Sequence, residues 1–273
     1  MQHKFCIYIG LWLAATSIPL PVLAQEATED TRQRTTAHQW LYGVGHNHVL
    51  DTYLSPLTYQ GLSLILWHRS ERTVRWNPKR ITIQGSFGGD LSYLKTPVDN
   101  DKAWDGNFTA AVGWYYHWHP TRQLQLAAGG FANLGLGFTY LLKNSNNPAQ
   151  ARAHIDLGCS GIAEQQFRLW NRPFAARLQM DLPLIGAMFS PNFGQSYYEI
   201  FSLGHYDHNI CLTHPFNAPT VRWEATLRCS IGKATVTAGY LGDILQSKVN
   251  NLKHHAWKHY FVIGYVRRLQ LVR

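Results

Sequence analysis

The chain has 273 residues, 45% apolar and 13% aromatic but only 15% charged, with a formal net charge of +9. So apolar a chain excludes a disordered or low-complexity protein. A mean hydropathy of -0.23 excludes a bundle of membrane-spanning helices, each of which needs about 20 apolar residues in a row.

The first residues read as an address. His3 and Lys4 lead into the apolar run 5–15, which Pro19 and Pro21 follow, and Val22-Leu23-Ala24 puts small residues before a cut at Gln25. This is a secretory signal, too short to span a bilayer as a helix. Cys6 lies at the start of the apolar run and not after it at the cut, so a lipid anchor does not fit. Residues 1–24 are assigned to a signal peptide, 25–37 to a polar periplasmic tail and 38–273 to the folded domain. Export also sets nucleic acid aside as a partner, despite the positive charge.

From residue 38 onward the pattern is a period of two, the spacing of strands. Strands are expected at 40–50, 58–67 and 80–94; in the third, Ile81, Ile83, Phe87, Leu91 and Tyr93 alternate with Thr82, Gln84, Ser86, Asp90 and Ser92. Phe108, Ala110, Val112, Trp114 and Tyr116 mark a fourth, and 122–140, 153–167 and 174–182 follow. Residues 197–204 and 209–214 are read as two short strands. The clearest hairpin comes next: Val221, Trp223, Ala225, Leu227, Cys229 and Ile231 face away from Arg222, Glu224, Thr226, Arg228 and Ser230, and Gly232-Lys233 turns the chain into 234–245. A last strand covers 257–271. The pattern predicts an all-β, closed, antiparallel up-and-down transmembrane β-barrel of about twelve strands, with ten as the alternative, since single-chain bacterial barrels have even strand numbers. Longer loops, among them 187–196 and 246–256, fall on one side and mostly shorter turns on the other. Trp40, Trp76, Trp104, Trp118, Trp170, Trp223 and Trp257 fall near strand ends, where aromatic girdles lie.

Chemistry is less legible. Cys159, Cys211 and Cys229 form no CxxC pattern, although Cys211 and Cys229 fall on neighbouring expected strands. His46 with His48, and His117 with His119, sit about 7 Å apart on a strand face, a chelating distance that histidines used as interfacial polar tips also have. No metal site and no cofactor is assigned. An acyl hydrolase needs a serine and a histidine in contact; no local signature is present, and the candidates are Ser196, also Ser190, with His254 or His255 on the loop side. The polar phase carries Asp90, Asp156, Glu164, Arg177, Asp181, Arg222, Glu224 and Arg228, whose mixed signs should pair in a confined lumen. On the rim, Asp51, Tyr53, Lys248, Asn250, Asn251 and Lys253 are candidate binding residues.

Three stretches resemble a known family: Leu50-Asp51-Thr52-Tyr53-Leu54-Ser55-Pro56-Leu57, residues 195–204 followed by Tyr206-Asp207-His208-Asn209, and Gly239-Tyr240-Leu241-Gly242-Asp243 followed by residues 246–253. They are similar to the uncharacterised, exported domain-of-unknown-function proteins of Bacteroidetes-type bacteria. The resemblance implies a cell-envelope protein and assigns no catalytic residue. The expected function is a non-enzymatic outer-membrane barrel, a narrow pore or a loop-mediated binding protein, with an outer-membrane lipid hydrolase of phospholipase or lipid A deacylase type as the alternative. Outer-membrane lipid and lipopolysaccharide are the expected partners, and an anionic small molecule is a candidate ligand. The sequence leaves the oligomeric state open.

Overall fold

The structure, a computed structural model, describes residues 34–78, 80–97, 101–143, 147–231 and 234–271. The expected signal peptide and most of the polar tail lie outside them. The described elements are β1 (Arg34–Asp51), β2 (Ser55–Thr73), β3 (Ile81–Lys95), β4 (Lys102–Trp118), β5 (Leu124–Leu141), β6 (Ala149–Leu169), β7 (Arg172–Phe189), helix α1 (Tyr197–Phe201), β8 (Ile210–Thr213), β9 (Val221–Ile231), β10 (Ala234–Val249) and β11 (Leu252–Leu271). Each strand pairs antiparallel with its neighbours, and β1 meets β11 from Arg34 opposite Leu271 to Asp51 opposite His254. With β6 joined to β7 and β7 to β9, ten strands close the barrel and β8 adds an eleventh, short one.

The wall therefore takes the lower of the two even counts. Residues 197–204 form no strand, because Ser196 and Glu199 build a reciprocal cap that starts α1. Residues 209–214 give only the four residues of β8, too few to span. The expected loop 246–256 is also absent. β10 and β11 run on to a two-residue turn in which Asn250 and Asn251 have φ of 51° and 59°, the left-handed pair of a tight hairpin.

Alternation puts apolar side chains outside and polar ones inside. On β2, Leu62, Leu64 and Leu66 are exposed while Ser63, Trp67 and Arg69 are buried. On β9, Ala225 and Leu227 point out while Glu224 and Thr226 point in. Trp76, Trp118 and Trp170 are exposed near the end where β1 begins and β11 finishes, and Trp104 and Trp257 near the other, the loop end. An apolar exterior between two aromatic girdles is the surface a bilayer requires. Apolar clusters also sit inside: Leu41, Ile65, Trp67, Leu241, Tyr260 and Val262 in one, and Val49, Tyr59, Leu94, Ala103, Leu141 and Ala256 in another, nearer the loops.

One stretch of wall is incomplete. β7 pairs with β9 up to Asp181 opposite Arg222, and with β8 only from Gly186 opposite Thr213. A bulge separates the two parts, with Pro183 facing Gly158 and Ile185 facing Leu157. β10 likewise outruns β9, whose ladder ends at Val221 opposite Ile244. Beyond it, the Lys248 N–H donates to the Asn217 carbonyl at 2.7 Å.

The β1–β11 seam depends on close backbone approach. A Cβ on Gly264 would collide with the Trp40 carbonyl oxygen, whereas one on Gly161 would meet nothing within 4 Å. Gly264→Val is expected to abolish heat-modifiable migration of the refolded barrel on gels, and Gly161→Ala to leave it unchanged. Equal behaviour of the two variants would show that the seam tolerates separation.

Candidate functional site

The lumen is crossed by a ladder of charged pairs, each supplied by different strands. Nearest the terminal end, Arg177 meets Glu71 at 3.2 Å and Glu164 at 3.6 Å, and Arg228 also binds Glu164. Above them Arg69 makes two bonds to Glu224, at 2.9 Å and 2.5 Å, and a third to Gln39. Arg222 binds Asp243 at 2.6 Å and stacks its guanidinium 4.6 Å over the Trp67 ring. Lys258, fully buried, holds Asp90 at 2.6 Å and reaches Asp105 at 3.6 Å. Arg152 bonds Asp105 at 2.8 Å and Asp51 at 3.2 Å. Charges confined this way are tolerable because each has an opposite partner at hydrogen-bond range.

At the loop end the connections are knitted together. The Tyr53 hydroxyl donates to the Gln195 carbonyl at 3.0 Å and accepts from Asn147 at 2.8 Å, so the β1–β2 turn, the β5–β6 loop and the α1 segment meet at one phenol. Asn250 donates to the carbonyls of Ser190 and His208, tying the last hairpin to the same segment. α1 docks at the loop ends of β6 and β7. The Tyr197 hydroxyl accepts from the Ala151 N–H and donates to its carbonyl, and Phe189, Tyr197 and Phe201 stack. Burial pushes the Tyr197 phenol up to about 12. Glu199 is held below the ordinary carboxylate value because the Ser196 N–H and hydroxyl both donate to it.

Beside the incomplete wall is a cavity of about 60 Å³. Arg152, His154, Asp156 and His254 line its lumen side, Pro183, Leu184 and Ile185 its wall side. His254 Nε2 and Thr213 Oγ1 are buried there without a hydrogen-bond partner among the described residues.

The residues expected in the lumen all face inward. Asp90, Glu164, Arg177, Arg222, Glu224 and Arg228 are paired as above; Asp156 accepts from Asn133 at 3.2 Å, and Asp181 from Ser160 and Gln179. The rim residues separate. Asp51 belongs to the lumen ladder, Tyr53 and Asn250 hold the loops, Asn251 is exposed in its turn, and Lys248 and Lys253 are exposed directly opposite each other on β10 and β11. Ser196 caps α1; His254 points into the lumen, whereas His255 points outward and stacks on His48 and Trp257. Ser190 is buried beneath the loops. Among the described residues no group of three or more His, Cys, Asp or Glu could hold a metal ion. His117 is hydrogen-bonded between Thr82 and Gln125 inside the barrel. Cys159, Cys211 and Cys229 are free thiols.

Sequence reasoning missed Arg69, Glu71, Asp105, Arg152, Asp243 and Lys258. Their signal was phase: Ser63, Trp67 and Arg69 share one face of β2, and Ala256, Lys258 and Tyr260 one face of β11, so running the alternation past the expected ends would have found Arg69, and reading it within the expected strands would have found Asp243 and Lys258.

A closed antiparallel barrel, apolar outside and ionic inside, defines a β-barrel of the outer-membrane type. The chain belongs to the family described as "Protein of unknown function (DUF3316)", whose model matches residues 7–273. No curated protein matches the sequence. Among solved structures, the barrel is similar to the outer membrane protease OmpT from Escherichia coli, with 8% identity, a TM-score of 0.45, and 87% of this chain and 97% of that one covered. It is also similar to the transport unit of the autotransporter AIDA-I from Escherichia coli, with 8% identity, a TM-score of 0.42, and 89% and 93% covered. Ail of Yersinia pestis gives 11% identity, a TM-score of 0.31, and 85% and 99% covered.

Two outcomes follow for stability. Glu224→Ala strands the buried Arg69 guanidinium and is expected to destabilise the barrel by about 3 to 5 kcal/mol in urea unfolding from lipid, while Arg69→Met with Glu224→Leu recovers most of that loss. A single-variant cost no larger than that of the double variant would show that water reaches Arg69. Glu199 has a depressed folded value, so its contribution is present above the ordinary carboxylate range and is lost as pH falls through the folded value. Protease cleavage within residues 190–209 should stay flat from about pH 8 to 5 and rise below about pH 4. Glu199→Gln should remove that rise.

Proposed function

We propose that this protein is exported by its signal peptide to the outer membrane and acts there as a non-enzymatic, non-conducting binding platform. The observation that supports it is the filled lumen: the Arg69–Glu224, Lys258–Asp90 and Arg152–Asp51 pairs cross it, and the apolar cluster of Val49, Tyr59 and Leu94 sits among them at the loop end. A ten-stranded wall is only slightly wider than the eight-stranded one that side chains fill completely. Solute passage would require breaking several buried ion pairs at once. That favours a platform over a narrow pore.

The exposed chemistry lies at the loop end. Phe193, Tyr198, Phe201, Ile210, Leu212 and Phe216 are exposed on and around the α1–β8 segment. Lys248 and Lys253 oppose each other across one hairpin, an arrangement that costs energy alone and gains from an anion placed between them. Apolar side chains beside paired lysines suit the acyl chains and phosphates of lipopolysaccharide.

Purified barrel in planar bilayers is expected to be electrically silent; stepwise currents from wild-type protein would overturn the closed-lumen reading. Lys248→Glu with Lys253→Glu should weaken lipopolysaccharide binding about tenfold or more, by loss of two charge-assisted contacts. Incubation with phospholipid and lipid A should release no fatty acid. Release that Ser196→Ala or His255→Ala abolishes, with the barrel intact, would replace the platform by a hydrolase.

A further inference from the structure

The interrupted wall between β7 and β10 exposes backbone where lipid should be. Residues 182–185 of β7 have β6 on one side and no ladder on the other, because β9 stops below them and β8 starts above them. Residues 245–247 of β10 face the same opening, and the β8–β9 connection 214–220 crosses it. The surroundings belong to the apolar belt: Leu182, Leu184, Ile185, Ile155, Leu157 and Leu212 all point outward. Unpaired backbone at such a depth is tolerated where it lines a polar cavity and not where it faces hydrocarbon.

Such a cavity lies behind the opening. Its volume of about 60 Å³ has room for roughly four to six water-sized groups, enough for a small polar head and its first methylenes and too small for a sugar. Its polar side is unbalanced. In this half of the lumen Arg152, Arg222 and Lys258 are each already held by an aspartate. Asp156, 8% exposed, has only the Asn133 amide and the His154 ring at 3.5 Å, and no lysine or arginine ion pair among the described residues. Two further buried groups on the cavity wall, His254 Nε2 and Thr213 Oγ1, lack a hydrogen-bond partner among the described residues. A buried carboxylate without a lysine or arginine partner favours a cation, and unpartnered imidazole and hydroxyl atoms favour a head that can hydrogen-bond.

We propose that the opening is a side entrance from the bilayer to a binding site for single-chain amphiphiles with an ammonium head. The head lies against Asp156 and within reach of His254 and Thr213, and the chain leaves past Pro183 and Leu184 into the membrane. An anionic head is disfavoured, since it would be brought against Asp156. The inference does not depend on the loop-end platform, because the site opens through the wall and not at the rim.

The test uses the full barrel in lipid nanodiscs and three photoreactive probes with the same long alkyl chain, ending in an amine, an alcohol or a carboxylic acid. After irradiation, crosslinks are mapped by mass spectrometry, with unlabelled dodecylamine as competitor. The amine probe is expected to label residues 182–185 and 245–247, to be displaced by dodecylamine, and to label there more than the acid probe does. Asp156→Asn should reduce that labelling about tenfold, the loss of one charge-assisted contact, and Ala218→Trp should obstruct the entrance without touching the polar side. Amine label spread around the whole belt like the acid label, or unaffected by competitor, would overturn the proposal. That comparison is made on wild-type protein, so it stands even where the Asp156 variant fails to fold.

Discussion

In hydrocarbon an unpaired peptide group costs several kcal/mol, and this requirement organises the rest of the molecule. It explains why the strands close, with β1 and β11 paired along their described length. It explains why glycines recur on that seam, since Gly45 and Gly264 let carbonyls of the opposite strand come close. It also explains the alternation itself. Once the backbone is satisfied within the wall, each side chain has only two destinations, lipid or lumen, and a strand must carry both kinds in register.

The lumen is where that division becomes costly. Ten strands leave an interior that side chains must fill, and a polar phase fills it with charges. They are arranged in tiers: Arg177 and Arg228 on Glu164, Arg69 on Glu224, Arg222 on Asp243, Lys258 on Asp90, Arg152 on Asp105 and Asp51. Arg177 with Glu164 and Arg222 with Asp243 join neighbouring strands, but Arg69 with Glu224, Lys258 with Asp90 and Arg152 with Asp51 join strands that are not adjacent in the wall, so the ladder fixes the cross-section of the barrel as well as filling it. Asp156 has no lysine or arginine ion pair among the described residues, and it lies beside the stretch of wall between β7 and β10 where the backbone ladder is interrupted.

Much of this was legible in the sequence. The period of two exposed the barrel and its inward and outward faces, with β9 and β10 the clearest because two clean alternations follow each other, while the even count rested on the rule for single-chain barrels and the wall takes the alternative of ten. The segment after β7 was not legible as strand or helix from its apolar spacing, because the aromatic residues Tyr197, Tyr198 and Phe201 suit a strand as well as a helix on a membrane surface. The informative signal was Ser196 followed three residues later by Glu199, a helix-start pair. Asn250-Asn251 signalled a hairpin turn, but the polar and basic residues around it read as loop. Arg69 was hidden by a strand end drawn too short, whereas Lys258 lay inside the expected strand 257–271 and only its inward phase went unread. The opening in the wall could not be read at all, since it arises from unequal lengths of β7, β9 and β10 in three dimensions and from no local motif.

The order of the seams has a consequence for how the barrel comes to be made. Most neighbouring strands are joined by short connections and can zip as local hairpins. Two seams cannot: β7 with β9, separated by the α1 and β8 segment, and β1 with β11, which joins opposite ends of the chain. Loop-closure entropy makes such distant pairings slow, and a chain waiting for them exposes two bare strand edges. Before closure the growing sheet is thus an open ribbon with β1 at one rim. Insertion then depends on something else covering that rim until the last twenty residues of β11 arrive.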